Sequence, residues 1–516
     1  MKTVAPTRAQ CAPMPSATPT PPSLAEPLAV VDMGSNSFRL EIGRLQHGRY
    51  RRIDDLKEMV RLGGGLDEQG MLTEAAAERG LACLRRFAVR LQDFDPGRVR
   101  AVATQTLREA RNRNAFLERG RAALGHPIEV ISGREEARLI YAGVAHLQPS
   151  ADRRLVIDIG GRSTEMILGH GLQPGTAESF QVGCVSLSMR YFADGVITAE
   201  GFRAAQVAAG AELEEGLQPF APRHWHSALG ASGTVGSVAQ ILQAAGVSDG
   251  RITAEGLRWC IARCIELGHV ERLQLPGLKA DRRAVLPGGL AILYTLLSNF
   301  RIPVLTVAKG ALRQGVIVDL HERIAALHQA RPGDMRERSV ESLQGRFGVD
   351  RDQARRVRSV ALALLEQALP EAGIDTRREL GWACDLHEIG LMVSHHDHHR
   401  HSAYLIDHVD APGFSQSQQR RIGQMVLGQR GGLRKLDSAL DNPVFAAQVL
   451  CLRLAVIKCH ARGPVDSAAL SLRLKGRDAR LGFTRGWADA HPRTLFLLHE
   501  EIEAWARGGA LRFGLD

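Results

Sequence analysis

The sequence lacks paired cysteines, long apolar runs and abundant aromatic residues, and each absence excludes a class of protein. Its eight cysteines are scattered over 516 residues with no Cys-x-x-Cys pair, which excludes a disulfide-rich secreted scaffold and favours a reducing cytoplasm. No apolar run reaches the roughly 18–20 residues of a membrane span, so we expect no integral membrane segment. Aromatic residues contribute 5% and do not alternate with basic ones, which argues against sequence-specific nucleic-acid binding.

The composition and charge of the chain are those of a basic globular protein. The formal charge is +10 and the pI is near 9.5, which favours an anionic partner, and a phosphate-rich ligand fits the low aromatic content best. A basic protein with no such ligand is the alternative. Residues 1–27 contain seven prolines, and we expect them to form a disordered leader without a secretion signal.

Two stretches share the pattern Asp-x-Gly-x-x-Ser, followed six residues later by Gly. One begins at Asp32 and the other at Asp158, each after a short apolar run typical of a strand. Glycines let a backbone approach a ligand closely, and their N–H groups can surround an anion. The repeat predicts two similar lobes whose loops face each other over a cleft. Two unrelated hairpins are the alternative.

Three further segments place polar residues after predicted strands, where α/β proteins bind ligands. Residues 104–112 contain Arg108, which is either a phosphate clamp or a solvent-exposed helix start. Residues 228–236 form a strand and a Gly/Ser/Thr turn that opens a helix, a favourable place for an anion. Residues 304–313 repeat this arrangement with Lys309 and Arg313, which meet either phosphate or solvent.

One predicted helix carries a carboxylate at a position where its spacing calls for an apolar residue. Ser132 and Glu135 have the spacing of a helix capping box, which gives Glu135 a structural role. Glu136 instead lies in line with Ile140 and Val144 on the apolar stripe of the same helix, where a charged group is unusual. We interpret Glu136 as a candidate general base, with a salt bridge at the rim of the core as the alternative.

Five motifs in this order resemble the exopolyphosphatase/guanosine pentaphosphate phosphohydrolase (Ppx/GppA) family of the actin, hexokinase and heat-shock ATPase superfamily. They are residues 32–37, 104–112, 132–137, 158–165 and 230–234. The resemblance implies an α/β fold of two ribonuclease-H-like lobes, followed by a mostly helical HD-like domain and a small α+β segment. We therefore divide the chain into a leader (1–27), two lobes (28–139 and 140–328), a helical domain (329–469) and a C-terminal segment (470–516).

The resemblance also implies a function. We expect a Mg²⁺-dependent exopolyphosphatase, with K⁺ as an optional activator, that acts processively on inorganic polyphosphate and releases orthophosphate. The alternative enzyme hydrolyses guanosine pentaphosphate (pppGpp), and an alternative of another class is a catalytically weak polyphosphate or nucleotide sensor. Family members of this kind suggest a homodimer.

Site residues carry over by motif. Glu136 would orient or deprotonate the attacking water, Arg108 would act in catalysis by contacting the phosphate, and Asp158, Glu165 and Asp32 would form the metal side. The expected phosphate-binding residues are Asn36, Ser37, Gly160, Gly161, Arg162, Ser163, Thr164, Ser232, Gly233, Thr234 and Lys309.

The chain departs from the family pattern at three positions in the lobes. Arg162 replaces a glycine, Lys309 an aspartate and Gln314 a glutamate. Arg162 would either hold a phosphate more tightly or block its approach.

In the helical domain, the HD metal positions appear as Gln353, His387 with Glu388, and Val456, so we expect no second metal-dependent site. The histidine-rich residues 395–401 are interpreted as a basic surface that guides a polyanion; a metal site is the alternative for the histidines. The arginines assigned to the same surface, for which a solvated helix face is the alternative, are Arg355, Arg356, Arg358, Arg420 and Arg421.

Overall fold

A computed structural model describes residues 26–46, 48–328 and 334–516. Most of the predicted leader and the first residues of the predicted helical domain, 329–333, therefore lie outside the described residues. Within the described ranges, no helix combines the length and apolarity that crossing a bilayer requires.

The first lobe is a five-stranded sheet in the order β3-β2-β1-β4-β5. The inner strands at 28–33 and 99–103 are mostly apolar and buried, whereas the edge strand at 49–58 is polar and largely exposed. Its elements are β1 (Leu28–Met33), β2 (Phe38–Gln46), β3 (Arg49–Glu58), α1 (Glu74–Leu91), β4 (Val99–Ala103), α2 (Gln105–Glu109), α3 (Arg113–Leu124), β5 (Ile128–Val130) and α4 (Gly133–Leu147).

The second lobe repeats this sheet in the order β8-β7-β6-β9-β10. Its strands are β6 (Arg153–Ile159), β7 (Thr164–His170), β8 (Gln173–Phe180), β9 (Ser227–Gly230) and β10 (Leu305–Val307). Its helices are α5 (Cys184–Tyr191), α6 (Ala199–Leu213), α7 (Gly233–Ala244), α8 (Ala254–Leu267), α9 (Leu286–Asn299) and α10 (Leu312–His328).

The two sheets agree in strand orientation as well as in order. In each, the first strand pairs antiparallel with the second, the second antiparallel with the third, and the first parallel with the fourth. This confirms the duplication predicted from the two loops. Helices α4 and α10 pack together between the sheets and form a separate apolar core there. The predicted boundary at residue 139 falls inside α4, which is continuous from one lobe to the other.

The remaining chain is helical and closes with a small sheet in the order β11-β12-β13. It has a core of its own, built from residues 340–513. The elements are α11 (Met335–Arg346), α12 (Arg351–Ala368), α13 (Ile374–Leu386), α14 (His398–His408), α15 (Gln416–Gly428), α16 (Pro443–Lys458), β11 (Leu470–Lys475), β12 (Asp478–Phe483), α17 (Trp487–Ala490), α18 (Pro492–Gly508) and β13 (Arg512–Leu515).

Candidate active site

The two predicted loops meet face to face between the lobes. A Cβ added at Gly161 would lie 3.0 Å from Cβ of Ser35, so the backbone of one loop touches the other. Both loops turn in the same way: an added Cβ at Gly34 would lie 3.2 Å from the Ser37 carbonyl oxygen, and one at Gly160 would lie 3.1 Å from that of Ser163. Glycine is required at these turns because a side chain would crowd the carbonyl.

Four carboxylates from both lobes surround this contact. Asp158 at the end of β6 lies directly opposite Glu165 on β7. Asp32 occupies the matching place on β1, and Glu136 comes from the first turn of α4. Glu136 is 8% exposed and Glu165 is 1% exposed. The structure therefore brings together the predicted base and the three predicted metal-side residues.

Burial is the largest cause of a raised pKa at three of these carboxyls. It raises the pKa of Asp32 to about 6 and that of Asp158 to about 7. The pKa of Glu165 is raised well above its usual range, with the Glu136 charge as the second cause. Each negative charge in the cluster makes the next carboxyl harder to ionise. A bound cation would relieve this repulsion.

Glu136 is held by Arg108. Nη1 of Arg108 donates to Oε2 of Glu136 at 2.8 Å and to the carbonyl of Ile131 at 3.0 Å, and each of the two charged side chains is 10% exposed. Gln105 fixes the other side of the same guanidinium. Within the described chain nothing bonds Oε1 of Glu136, so this oxygen can accept a proton from water. Arg108 positions the carboxylate and lies beside the cluster.

Three arginines lie around the carboxylates; the sequence left Arg313 open between phosphate and solvent, and sequence reasoning missed Arg39 and Arg282. Arg39 is the cross-strand partner of Asp32. Arg313 lies 3.8 Å from Asp32 and bonds Glu41 at 2.8 Å. A Cβ added at Gly233 would collide with the guanidinium of Arg282. The repeat offered one signal, because Arg39 follows Asp32 by the same seven residues that separate Asp158 from Glu165.

The third predicted phosphate turn has the expected geometry. Ser232 caps α7 by accepting a hydrogen bond from the Val235 amide at 3.2 Å, and Thr234 donates to the Ile159 carbonyl at 3.3 Å. The turn therefore lies against the end of β6, next to Asp158. Thr164 points elsewhere, since its hydroxyl donates to the Val182 carbonyl at 2.6 Å.

Lys309 is not brought to the cluster. It is exposed, and its backbone amide contacts Gln148, the residue that follows α4. Glu136 lies near the start of α4, roughly 18 Å away along the helix at 1.5 Å per residue. Phosphate binding by Lys309 stays a prediction, with no carboxylate of the site beside it.

Arg162 joins the two lobes. Its Nε and Nη2 lie 2.8 and 2.6 Å from Oε2 of Glu109, and its Nη1 donates to the Gly63 carbonyl at 3.2 Å. Both partners belong to the first lobe. Arg162 therefore neither occupies the centre of the cleft nor points a free guanidinium at it, and phosphate binding by Arg162 would require it to leave Glu109.

The carboxylates of the cleft fit a Mg²⁺ ion that keeps several water ligands and takes only one or two ligands from the protein. Among the described residues, no three His, Cys, Asp or Glu side chains form a metal site. Mg²⁺ commonly retains several waters and takes one or two protein carboxylates together with substrate phosphates. The facing pair Asp158 and Glu165, whose pKa values are raised, suits that mode and would give the ion its protein ligands. Bound there, Mg²⁺ would neutralise charge on the phosphate oxygens.

Comparisons with known proteins identify the family and the fold of the chain. The model of the Ppx/GppA phosphatase family matches residues 42–324, and that of Ppx/GppA phosphatase domain III matches residues 335–502. The crystal structure of an exopolyphosphatase from Cytophaga hutchinsonii is 24% identical, with a TM-score of 0.53, and the match covers 58% of this chain and 98% of that one. A Ppx/GppA enzyme from Aquifex aeolicus is 27% identical, with a TM-score of 0.48, over 57% of this chain and 98% of its own. The predicted family and the predicted fold class are thereby confirmed.

Proposed function

Because the chain belongs to the Ppx/GppA phosphatase family, we propose that it is an exopolyphosphatase that removes terminal phosphate from inorganic polyphosphate. The observation that carries the proposal is the buried carboxylate cluster with arginines on its border. Phosphoryl transfer requires a positioned nucleophile and neutralisation of the phosphate oxygens more than covalent catalysis. The four carboxylates and the three arginines supply both.

In the reaction that we propose, water attacks the terminal phosphorus in line with the bridging oxygen. Glu136 accepts the proton of this water at Oε1, while Arg108 keeps Oε2 in place. The P–O bond to the bridging oxygen breaks, and the products are orthophosphate and a chain shorter by one phosphate. Arg39, Arg282 and the Ser232 turn face the phosphate side, and Asp158 with Glu165 would hold Mg²⁺.

The formal charge of +10 favours a long polyanion as the substrate. The same cleft chemistry would also cleave guanosine pentaphosphate, so both substrates belong in the test. Phosphate release is measured with Mg²⁺ from each. Faster release from guanosine pentaphosphate would replace the proposed substrate, and tight binding without release from either would identify a sensor.

Two neighbouring glutamates provide a matched pair for the catalytic assignment. Glu136→Gln should lower kcat by roughly 10²–10⁴, the usual contribution of a general base, with little change in melting temperature. Glu135→Gln should keep kcat within a few-fold and lose stability, because Glu135 binds Arg138 at 2.7 Å and accepts from the Gly413 amide at 2.9 Å. Full activity in Glu136→Gln would remove Glu136 from the mechanism.

A further inference from the structure

A cavity of about 880 Å³ lies in the helical region, away from the cleft. Its walls come from the ends of α13 and α15, the start of α14, and α16 and α18, and every lining residue falls between 353 and 508. The positions predicted to match an HD metal site line this cavity together: Gln353, His387, Glu388 and Val456. Its volume suits a small organic ligand.

The cavity has more cations than carboxylates. Seven lysine and arginine side chains line it against five acidic ones. Four of the acids face an arginine: Arg453–Glu501, Arg462–Glu388, Arg400–Asp397 and Arg507–Glu503. Among the side chains that the structure describes, Arg430, Arg434 and Lys435 have no carboxylate partner. The fifth acid, Glu500, is the one carboxylate here without a described arginine partner, so an excess of positive charge remains.

Buried polar atoms in the wall are also left without partners. Nδ1 of His398 and Nδ1 of His399 are enclosed and make no hydrogen bond, although the side chains are only 7% and 6% exposed. Such atoms are costly unless a ligand or water satisfies them. Lys435 is half-buried beside these histidines, and burial followed by the charges of Arg453 and Arg400 lowers its pKa to about 8. A bound anion would offset this repulsion.

A metal ion is a poor occupant of this cavity. Arg430 and Lys435 contribute positive charge at the two histidines, which would repel a cation. Among the residues that the structure describes, no three His, Cys, Asp or Glu side chains form a metal site, and the expected ligand positions Gln353 and Val456 carry an amide and an apolar side chain. One wall is apolar, with Leu391, Leu433 and Leu497. A small molecule that carries phosphate and an apolar group fits such walls better than a metal ion does.

We propose that this cavity is a second anion site, which binds a small molecule carrying a diphosphate group. Two linked phosphates carry several negative charges, and the wall offers several cations without a carboxylate partner, Arg430, Arg434 and Lys435. The diphosphate has two possible sources, an inorganic polyphosphate end and a nucleotide. The site is independent of the proposed function, since none of its residues belongs to the cleft.

The arginines predicted from sequence to guide a polyanion lie elsewhere and are mostly occupied. Arg355 pairs with Asp352, Arg358 with Asp385, and Arg421 with Glu379. Arg355 is therefore a suitable control residue: it carries the same charge as Lys435, lies in the same region and does not line the cavity.

The test is calorimetric titration of the full-length chain with sodium pyrophosphate in EDTA, where Mg²⁺-dependent turnover is absent. Binding should be saturable, at least tenfold weaker in Lys435→Ala, retained in Lys435→Arg and unchanged in Arg355→Ala. Melting temperatures of all variants establish that they are folded. Equal binding by wild type and Lys435→Ala, or equal losses in Lys435→Ala and Arg355→Ala, would overturn the proposal.

Two further arms identify the ligand and the location. Titration with guanosine diphosphate under the same conditions tests the nucleotide source: tighter binding than pyrophosphate assigns a nucleotide, and equal or weaker binding assigns the inorganic chain. In protein labelled with ¹⁵N-histidine, pyrophosphate should shift the signals that His398→Gln and His399→Gln identify. Unshifted signals, or Zn²⁺ binding that His399→Gln abolishes while pyrophosphate binding stays intact, would reject an anion site here.

Discussion

The two cleft loops differ at a single chemically decisive position. Seven residues after the loop aspartate, the first lobe has Arg39 opposite Asp32 and the second has Glu165 opposite Asp158. One copy of the repeat therefore presents a cation and the other a second carboxylate. In the proposed function, this asymmetry would give the cleft one wall for phosphate and one for a metal ion.

Asp158→Asn tests the electrostatic cost of the second wall. Because the pKa of Asp158 is raised from 3.8 to about 7, the folded state binds more protons than the unfolded one between these values, and wild-type stability falls as the pH rises through this window. A shift of about three units corresponds to at most ~4 kcal/mol, and partial exposure reduces this to about 2 kcal/mol.

In EDTA, Asp158→Asn should therefore have the same melting temperature as wild type near pH 4. At pH 8 its melting temperature should be higher than that of wild type. Added Mg²⁺ should narrow the difference at pH 8 by stabilising wild type alone. A melting difference that is the same at both pH values would contradict the raised pKa. Thermal denaturation followed by circular dichroism measures it.

Arg162 and Glu109 form the second test at the residue scale. If Arg162 serves to join the lobes, Arg162→Gly and Glu109→Gln should both raise KM, by up to about fivefold, because a partly exposed ion pair contributes at most about 1 kcal/mol. If Arg162 binds phosphate, Glu109→Gln would release it and lower KM while Arg162→Gly raises it. Steady-state kinetics with short polyphosphate distinguishes the two, and we expect the same direction.

At the scale of elements, α4 and α10 pack closely enough to require glycine. A Cβ added at Gly315 would overlap the Leu139 carbonyl oxygen, and one at Gly143 would overlap that of Ala311. These helices carry Glu136 and Arg313 into the site, so their separation sets the width of the cleft. Close packing of two helices depends on small residues at the crossing for this reason.

Gly315→Ala should push the two helices apart. We expect a loss of about 2 kcal/mol or more in the free energy of unfolding, in line with overpacked cores, and a lower kcat because Glu136 moves with α4. Gly236→Ala is the matched control, since Gly236 lies inside α7 with no atom near its added Cβ. That variant should gain about 0.5–1 kcal/mol from helix propensity. Denaturant titration measures both, and equal effects would refute the packing argument.

Local patterns in the sequence predicted the elements well and the contacts between them poorly. The helical region expected after the two lobes is found, with α12 and α15 among its helices, because apolar spacing is a property of each segment alone. Ser132 caps α4 as predicted. The Glu135 carboxylate, expected to complete a capping box, binds Arg138 and Gly413 instead. Gly413 lies 278 residues away, and no local pattern reports such a partner.

The residues of the candidate site also fall into those that local sequence patterns predicted and those that they missed. The repeat and the apolar stripe led to Asp158 and Glu136, since both signals lie within a few residues of the group itself. Arg282 and the pairing of Arg162 with Glu109 were missed, because they depend on how closely the lobes approach. The cavity in the helical region was missed for the same reason: its cations come from α14, α16, α18 and the segments before and after α16, which meet only in the fold.

At the scale of the whole molecule, one buried ion network joins the lobes to the helical region. Asp319 on α10 binds Arg100 of β4 and Arg323 of its own helix, each at 2.7 Å, and also binds Arg138 of α4. Arg323 also donates a hydrogen bond to the carbonyl oxygen of Gly413 at 2.8 Å. Gly413 lies in the loop between α14 and α15. Helix α4, which carries Glu136, is thereby tied to the domain that contains the cavity between residues 353 and 508.

Asp319→Asn should weaken this connection more than any exposed ion pair does. Removing one partner of a buried network leaves uncompensated guanidinium groups, at a cost of roughly 3–5 kcal/mol. Asp352→Asn is the control, since the pair of Asp352 with Arg355 is about three-quarters exposed and should contribute less than about 1 kcal/mol. Denaturant unfolding at pH 7 gives both values.

The pH dependence of the Asp319 effect has a definite sign. Its three arginines hold the pKa of Asp319 far below the usual range against the effect of burial. The stability that Asp319 contributes is therefore fully present above the ordinary aspartate pKa of about 4 and is lost as the pH falls below it. The melting difference between wild type and Asp319→Asn should be constant from pH 8 to 5 and should narrow toward pH 3. A difference that widens on acidification would mean that the aspartate is not the anionic centre of the network.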